Sequence, residues 1–269
     1  MRWTGSLVLA LIGLPAVADD RSPDSLVHTV TGGIPIILSA PHGGGDEIPG
    51  VGERTGFAVD KFVTVRDTGT YDLTLKLCDA IEKKMGAKPF VVMAKFDRRF
   101  IDANRPAADA YEWKAAKPVY DHYHASLASA KKKVETDWGR GLLLDIHGQI
   151  AERDTIFRGT NDGKTVAHMI DRFGKAGLSG PKSVLGLMEA KGYKVFPNAD
   201  SKDKENPRYG GGYIVQTYGS KDGGTVDAIQ LELGWNQRMR SSWAKTSADL
   251  ADAIDAYAKE YLPASPKKP

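Results

Sequence analysis

The chain has 269 residues, 41% hydrophobic and 26% charged, which is enough for one large domain with a substantial core. Its formal net charge is +3, or +2 once residues 1–18, which hold one Arg and no acid, are set aside. That is too small an excess for nucleic acid or a polybasic membrane surface, and the single cysteine, Cys78, excludes an intramolecular disulfide.

In chain order, Arg2, the short apolar run Ser6–Leu14 and the small-x-small site Ala16-Val17-Ala18 read as a signal peptide over residues 1–18. The run is too short to span a bilayer. The expectation is an exported protein, periplasmic or secreted, with no stable membrane association. Ile34–Ala40 is a buried strand that ends in the turn Pro41-His42-Gly43-Gly44-Gly45. Asp67 precedes a helix-period run through Met85, within which Leu73, Leu77 and Ile81 make Cys78 a small core residue. Pro89–Phe96 is a second strand, and Val119–Thr136 a helix with Pro118 suited to its first turn. Gly141–Ile146 is a third buried strand. Thr155–Arg158 and Tyr213–Tyr218 read as shorter strands, and Val226–Leu233 as a further buried one. Ser242–Leu262 is an amphipathic helix, and Pro263–Pro269 is expected to be a disordered tail. Continuous apolar strands separated by helices argue for an α/β sheet covered on both faces, in which ligands sit beyond the carboxyl ends of the strands.

That rule orders the chemistry. His42 follows the first strand, Arg98 and Arg99 the second, His147 the third, and Glu232 lies near the end of a later one. A strand-end histidine alone is most often part of a polar network; two on separate strands point to a metal site. The Gly run after His42 permits a tight turn and close backbone approach to a ligand, and no GKS or GKT follows to make it a phosphate loop. Strand alternation puts Asp145 on the same side as His147, where it can accept the second ring N–H and fix the tautomer. Zinc in hydrolases takes three protein ligands from His nitrogen and carboxylate oxygen, with water in the fourth position. The carboxylate is to be sought among Asp46, Glu47, Glu53 and Asp67, and Asp67 also fits a plain helix N-cap. Glu232 interrupts a strand otherwise built for burial, so it is either a general base or the partner of a cation such as Arg238. Residues 98–106, RRFIDANRP, form a donor cluster that suits a carboxylate or a solvated face. Neither GxSxG nor HExxH occurs.

Taken in order, SAPHGG at 39–44, Asp67 six residues before Leu73, RRFIDANRP at 98–106, YHASL at 123–127, DIHG at 145–148, NPRYGGGY at 206–213 and IQLELGWNQR at 229–238 resemble the N-formylglutamate amidohydrolase family, which is related in fold to zinc carboxypeptidases. The resemblance runs from about Ser39 to Arg238. It implies an α/β single domain over residues 19–262, with a central mixed β-sheet flanked by helices, of phosphorylase/hydrolase-like type. It further implies a zinc (Zn2+) hydrolase of amide bonds next to a carboxylate. His42 and His147 are then metal ligands, Glu232 the general base, and Asn104 and Arg105 a clamp on the substrate's carboxylate. The His-x-x-Glu spacing of zinc carboxypeptidases is broken, because Gly45 stands at the Glu position. Helix position then gives the third ligand to Asp67, with Glu47 as runner-up. Arg99, Tyr209 and His124 complete the expected substrate contacts, with His124 either touching the substrate or remaining structural, and Asp145 supports His147. The expected partner is a small-molecule or peptide substrate with a free carboxylate, not nucleic acid. Two other readings compete: a carboxypeptidase-like or cell-wall peptide hydrolase, and a non-catalytic binding module on the same fold.

Overall fold

A computed structural model describes residues 22–56, 62–199 and 201–267; the signal-peptide reading falls on residues outside these. Its core is one mixed sheet of seven strands. They are β1 (Val27–Val30), β2 (Ile36–Ala40), β3 (Phe90–Ala94), β4 (Gly141–Gly148), β5 (Thr155–Gly159), β6 (Lys194–Phe196) and β7 (Val226–Leu233), in the spatial order β1-β3-β2-β4-β7-β5-β6. The central four, β3, β2, β4 and β7, run parallel, while β1 joins antiparallel to β3 and β5 antiparallel to β7.

The strands are apolar throughout because both faces are covered, and alternate side chains go to different cores. Ile36, Leu38, Val91, Met93, Leu142, Leu144, Ile229 and Leu231 pack on one side against the helices Thr70–Met85 and Trp243–Tyr261. Ile37, Val92, Leu143, Val226 and Ala228 pack on the other, against the helix Lys117–Asp137. Pro118 sits in that helix's first turn. By the same alternation Asp145, His147, Gln230 and Glu232 project to the Lys117–Asp137 side, in the carboxyl-terminal halves of β4 and β7. Among the described residues no helix is long and apolar enough to cross a membrane.

From β2 the chain goes to β3 on one side and then crosses to β4 on the other. The crevice between β2 and β4 is therefore the point where strand order reverses, the place where open α/β sheets bind ligands. His42 leaves β2 and His147 ends β4 at this crevice.

One expected element is different. Tyr213–Tyr218 is a helix, not a strand. Its β-branched and aromatic composition suited a strand, but the turn at Gly210–Gly212 and the Asn104 Oδ1 acceptor on Ile214 N start a helix. Its buried residues Ile214, Val215 and Tyr218 are spaced for one helical face. The helix after Asp67 starts at Thr70, with Gly69 in the left-handed conformation as its N-cap. A side chain at Gly69 would collide with the carbonyl of Arg238.

Candidate metal centre and its cleft

His42, Asp67 and His147 meet, all buried, at the crevice. His42 Nδ1 stands 3.2 Å from His147 Nδ1 and 3.5 Å from Asp67 Oδ2, and His147 Nδ1 is 3.3 Å from the same oxygen. Asp67 is not a helix cap: its side chain turns back into the crevice, where Oδ2 also accepts from Gly148 N at 3.0 Å. Glu47 is exposed and does not line the cleft.

The outer nitrogens decide what the inner ones can do. His42 Nε2 donates to Asp102 Oδ1 at 2.7 Å and His147 Nε2 to Asp145 Oδ2 at 2.8 Å. Asp145 is fixed in turn by the Ser39 hydroxyl, and Asp102 by the Arg98 guanidinium at 2.8 Å. With both Nε2 atoms carrying hydrogens, each neutral ring presents a lone pair at Nδ1. Two lone pairs and a carboxylate oxygen thus face one another, a set that a metal ion or a proton between them satisfies. The 3.2–3.5 Å triangle fits such an ion. Tetrahedral zinc ligands at their usual bond lengths stand about 3.3–3.4 Å apart. Four carboxylates, Asp67, Asp102, Asp145 and Glu232, surround the pair of histidines against two guanidiniums, Arg98 and Arg238, a shortfall of two positive charges.

Without an ion, the surrounding acids favour a proton in its place. Burial alone would push the His147 imidazolium down, but the charge and hydrogen bond of Asp145, then Asp67 and Glu232, hold it well above the ordinary histidine range. Burial would raise Asp67, yet hydrogen bonds from His147 and His42 leave it below the usual carboxylate range. Glu232 goes the other way. Desolvation raises its carboxyl, with the Asp67 charge adding to the rise and only partly offset by His147 and His42. Glu232 lies in register with His147 across β4 and β7, and Gln230 Nε2 donates to its Oε1 at 2.8 Å. It makes no ion pair with Arg238, whose guanidinium is taken up by the carbonyls of Thr68, Leu233 and Gln149. A raised carboxyl beside a cation site is suited to taking and returning a proton.

The centre opens into a cleft of about 790 Å3. One wall is the segment Lys204–Gly212, with Tyr209 and the glycines, beside Asn104 and Arg105. Glu205 pins this wall. Its buried carboxylate accepts from Arg158 Nε at 2.9 Å, from Thr160 N at 2.7 Å and from Asp162 N at 3.0 Å. Asn104 is spent on the chain: its Oδ1 holds Ile214 N at 2.8 Å and its Nδ2 lies 3.4 Å from Gln230 Oε1. Arg105 lines the cleft, and its guanidinium has no hydrogen-bonded or ion-paired partner among the described residues.

No family model matches the chain, and no curated protein matches it. Solved structures do, among them the following two. One is N-formylglutamate amidohydrolase from Ralstonia eutropha JMP134, with a TM-score of 0.60 and 16% identity over 88% of this chain and 98% of that one. The other is a gene product from Agrobacterium tumefaciens, with a TM-score of 0.59 and 12% identity over 87% and 95%. The chain has the fold of these two proteins.

Two of the expected substrate contacts are not at the site. Arg99 turns outward to Glu53, at 2.6 Å, and to Asp97. The turn after β3 sends neighbouring side chains opposite ways, and it is Arg98 that faces the cleft. His124 is caged by Tyr120, Tyr123, Tyr213 and Tyr218 under the sheet, bonded to Tyr218 Oη and to Ala103 O. Burial lowers it to about 4, so it is a neutral core residue. The glycines after His42 do approach closely, but to the chain itself: Gly43 faces the start of the Thr70–Met85 helix and Gly44 the carbonyl of Lys95. Cys78 is a buried thiol that desolvation, aided by Asp79, pushes up to about 11, which removes it as a nucleophile. The reading of the sequence missed Asp102 and Arg98 as the pair behind His42. The signal was there, since Asp102 lies within RRFIDANRP, but that segment was weighed only as a set of donors.

Proposed function

We propose that this chain is a zinc-dependent hydrolase of an amide bond in a carboxylate-bearing substrate, an N-formyl or N-acyl amino acid amidohydrolase, acting outside the cytoplasm. The observation that carries it is the triangle of His42 Nδ1, Asp67 Oδ2 and His147 Nδ1, each edge 3.2–3.5 Å, with both outer nitrogens tied to carboxylates. The shared fold with an N-formylglutamate amidohydrolase supports the reaction class, and the signal-like residues 1–18 support export.

His42, Asp67 and His147 would hold the ion. When bound, a divalent ion there polarises a carbonyl oxygen and makes a nearby water more acidic. Glu232 takes the proton of the attacking water. The same carboxyl then returns that proton to the amide nitrogen as the C–N bond breaks, and its raised position favours this second half. Asp102 and Asp145 keep the two rings in the tautomer that leaves Nδ1 bare. Arg105 binds the substrate's carboxylate through a guanidinium fork that no described residue takes up. Gln230 orients Glu232 by its amide donor and accepts from Gly212 N at 2.7 Å, linking the base to the pocket wall.

The reading is tested by metal analysis of purified protein together with a screen of formyl-, acetyl- and peptidyl-amino acids. Zinc-dependent release of free amine, abolished by chelation and restored by zinc, supports it. Hydrolysis that survives complete metal removal overturns it.

A further inference from the structure

Among the charged residues of the cleft stand apolar side chains that a formyl group does not use. Among the described residues, six large apolar side chains stand exposed: Phe62, Val63, Val65, Trp113, Ile150 and Met239. Three of them, Val63, Val65 and Ile150, line this one cleft. Val65 is 70% and Ile150 73% exposed. Exposed aliphatic residues scattered singly need no explanation, but a group of them at the rim of a pocket marks a binding surface.

Their place in the cleft is specific. Gly148 N donates to Asp67 Oδ2, which ties the loop carrying Ile150 to the loop carrying Val63 and Val65. The guanidinium of Arg98 lies under the Val65 carbonyl. These two loops therefore form one rim, on the Asp67 side of the metal triangle. The other wall is Asn104, Arg105 and Lys204–Gly212, joined through the hydrogen bonds of Asn104 to Ile214 and of Gln230 to Gly212. A scissile amide at the triangle has its amino-acid half on one side of the C–N bond and its acyl half on the other. With the carboxylate at Arg105, the acyl half is free to reach Val63, Val65 and Ile150, which line the same cleft.

We propose that the amide cut at this site carries an apolar N-acyl chain of several carbons, seated on Val63, Val65 and Ile150, rather than a formyl group. This rests on the amide-hydrolase reading above. A formyl group offers no methylene to cover these side chains and leaves all three exposed in the cleft. Each methylene fully removed from water strengthens binding about fourfold.

The test is a series of N-formyl-, N-acetyl- and N-hexanoyl-L-glutamate with the zinc-loaded protein, repeated with the matching L-alanine amides. Both kcat/KM and, with the Glu232→Gln variant, calorimetric Kd are measured. The expected result is a rise of at least ~10-fold in kcat/KM and in affinity from acetyl to hexanoyl, on a rim that covers only part of the chain. Val65→Ser with Ile150→Ser, both at exposed positions that the fold does not need, should bring the hexanoyl-to-acetyl ratio toward one. Turnover of the series with no gain from chain length, or an unchanged ratio in the double variant, overturns the acyl-chain proposal and leaves the amide-hydrolase reading standing. Chain-length-independent binding with no turnover of any member overturns both.

Discussion

Two buried carboxylate sites face the same cleft, and they are built on opposite principles. In the wall, Glu205 is answered by the chain itself: Arg158 supplies a full charge, and Thr160 and Asp162 supply backbone donors to its oxygens. On the floor, Asp67 meets two histidines whose hydrogens have been drawn away to Asp102 and Asp145. Protein donors close the first cluster, whereas the second stays open at its centre. A buried acid that serves the fold brings its own counter-charge, whereas one that serves chemistry leaves that place for a ligand. His124 and the pair His42 and His147 differ in the same way. The caged histidine has both ring nitrogens spent on the chain, while the other two turn Nδ1 toward each other and Asp67.

The comparison can be broken at several points. The largest effect is expected in the closed cluster. Glu205→Ala strands the Arg158 charge and three donors, so stability should fall by roughly 3–5 kcal/mol, with zinc content of the folded fraction unchanged. Chemical denaturation beside metal analysis checks it; intact stability would mean that the wall is held by other contacts. Next is the caged histidine. His124 stays neutral in the folded chain down to about 4, while the unfolded chain takes a proton near 6.5. Below 6.5 the unfolded state binds the extra proton, so stability should drop as pH falls from 6.5 to 4, by up to about 3 kcal/mol. His124→Asn should flatten this part of the profile, and an identical slope in the variant would remove His124 as its source.

In the open cluster the effects should be on function. Glu232→Gln keeps shape and hydrogen bonding but removes the basic oxygen. It should fold, keep zinc and lose at least ~100-fold in kcat. A zinc-loaded variant with near-normal kcat would take Glu232 out of the mechanism. The smallest effect is at the outer nitrogens. Asp102→Asn should weaken zinc binding about 10–100-fold, the usual loss when the group orienting a metal-bound histidine is neutralised. Unchanged affinity would mean that His42 holds its tautomer without help.

Much of this was legible in the sequence, and the reason is alternation. Continuous apolar runs located β2, β3, β4 and β7, and their carboxyl ends gave His42, His147 and Glu232 their places. Asp145 followed from its spacing of two residues before His147 on an extended strand. What stayed hidden depends on contacts distant in sequence. Asp67 reaches the site across 81 residues to Gly148, and no local pattern separates it from a helix cap. Arg98 and Arg99 are alike in sequence, and only the turn after β3 decides which faces the cleft. Tyr213–Tyr218 carries strand-like residues that Asn104, more than a hundred positions away, turns into a helix. Glu205 and Arg158 gave no sign of each other, because the buried pair forms between strand β5 and a distant loop with no shared periodicity.

The central claim is that His42, Asp67 and His147 together hold one divalent ion. It is tested most directly by zinc titration calorimetry on four proteins: the wild-type chain, His147→Ala, Asp67→Ala and Glu47→Ala. The account predicts one tight site per chain in the wild type and in Glu47→Ala, and its loss in His147→Ala and Asp67→Ala with all four proteins folded. A tight site that survives in Asp67→Ala and disappears in Glu47→Ala would contradict it.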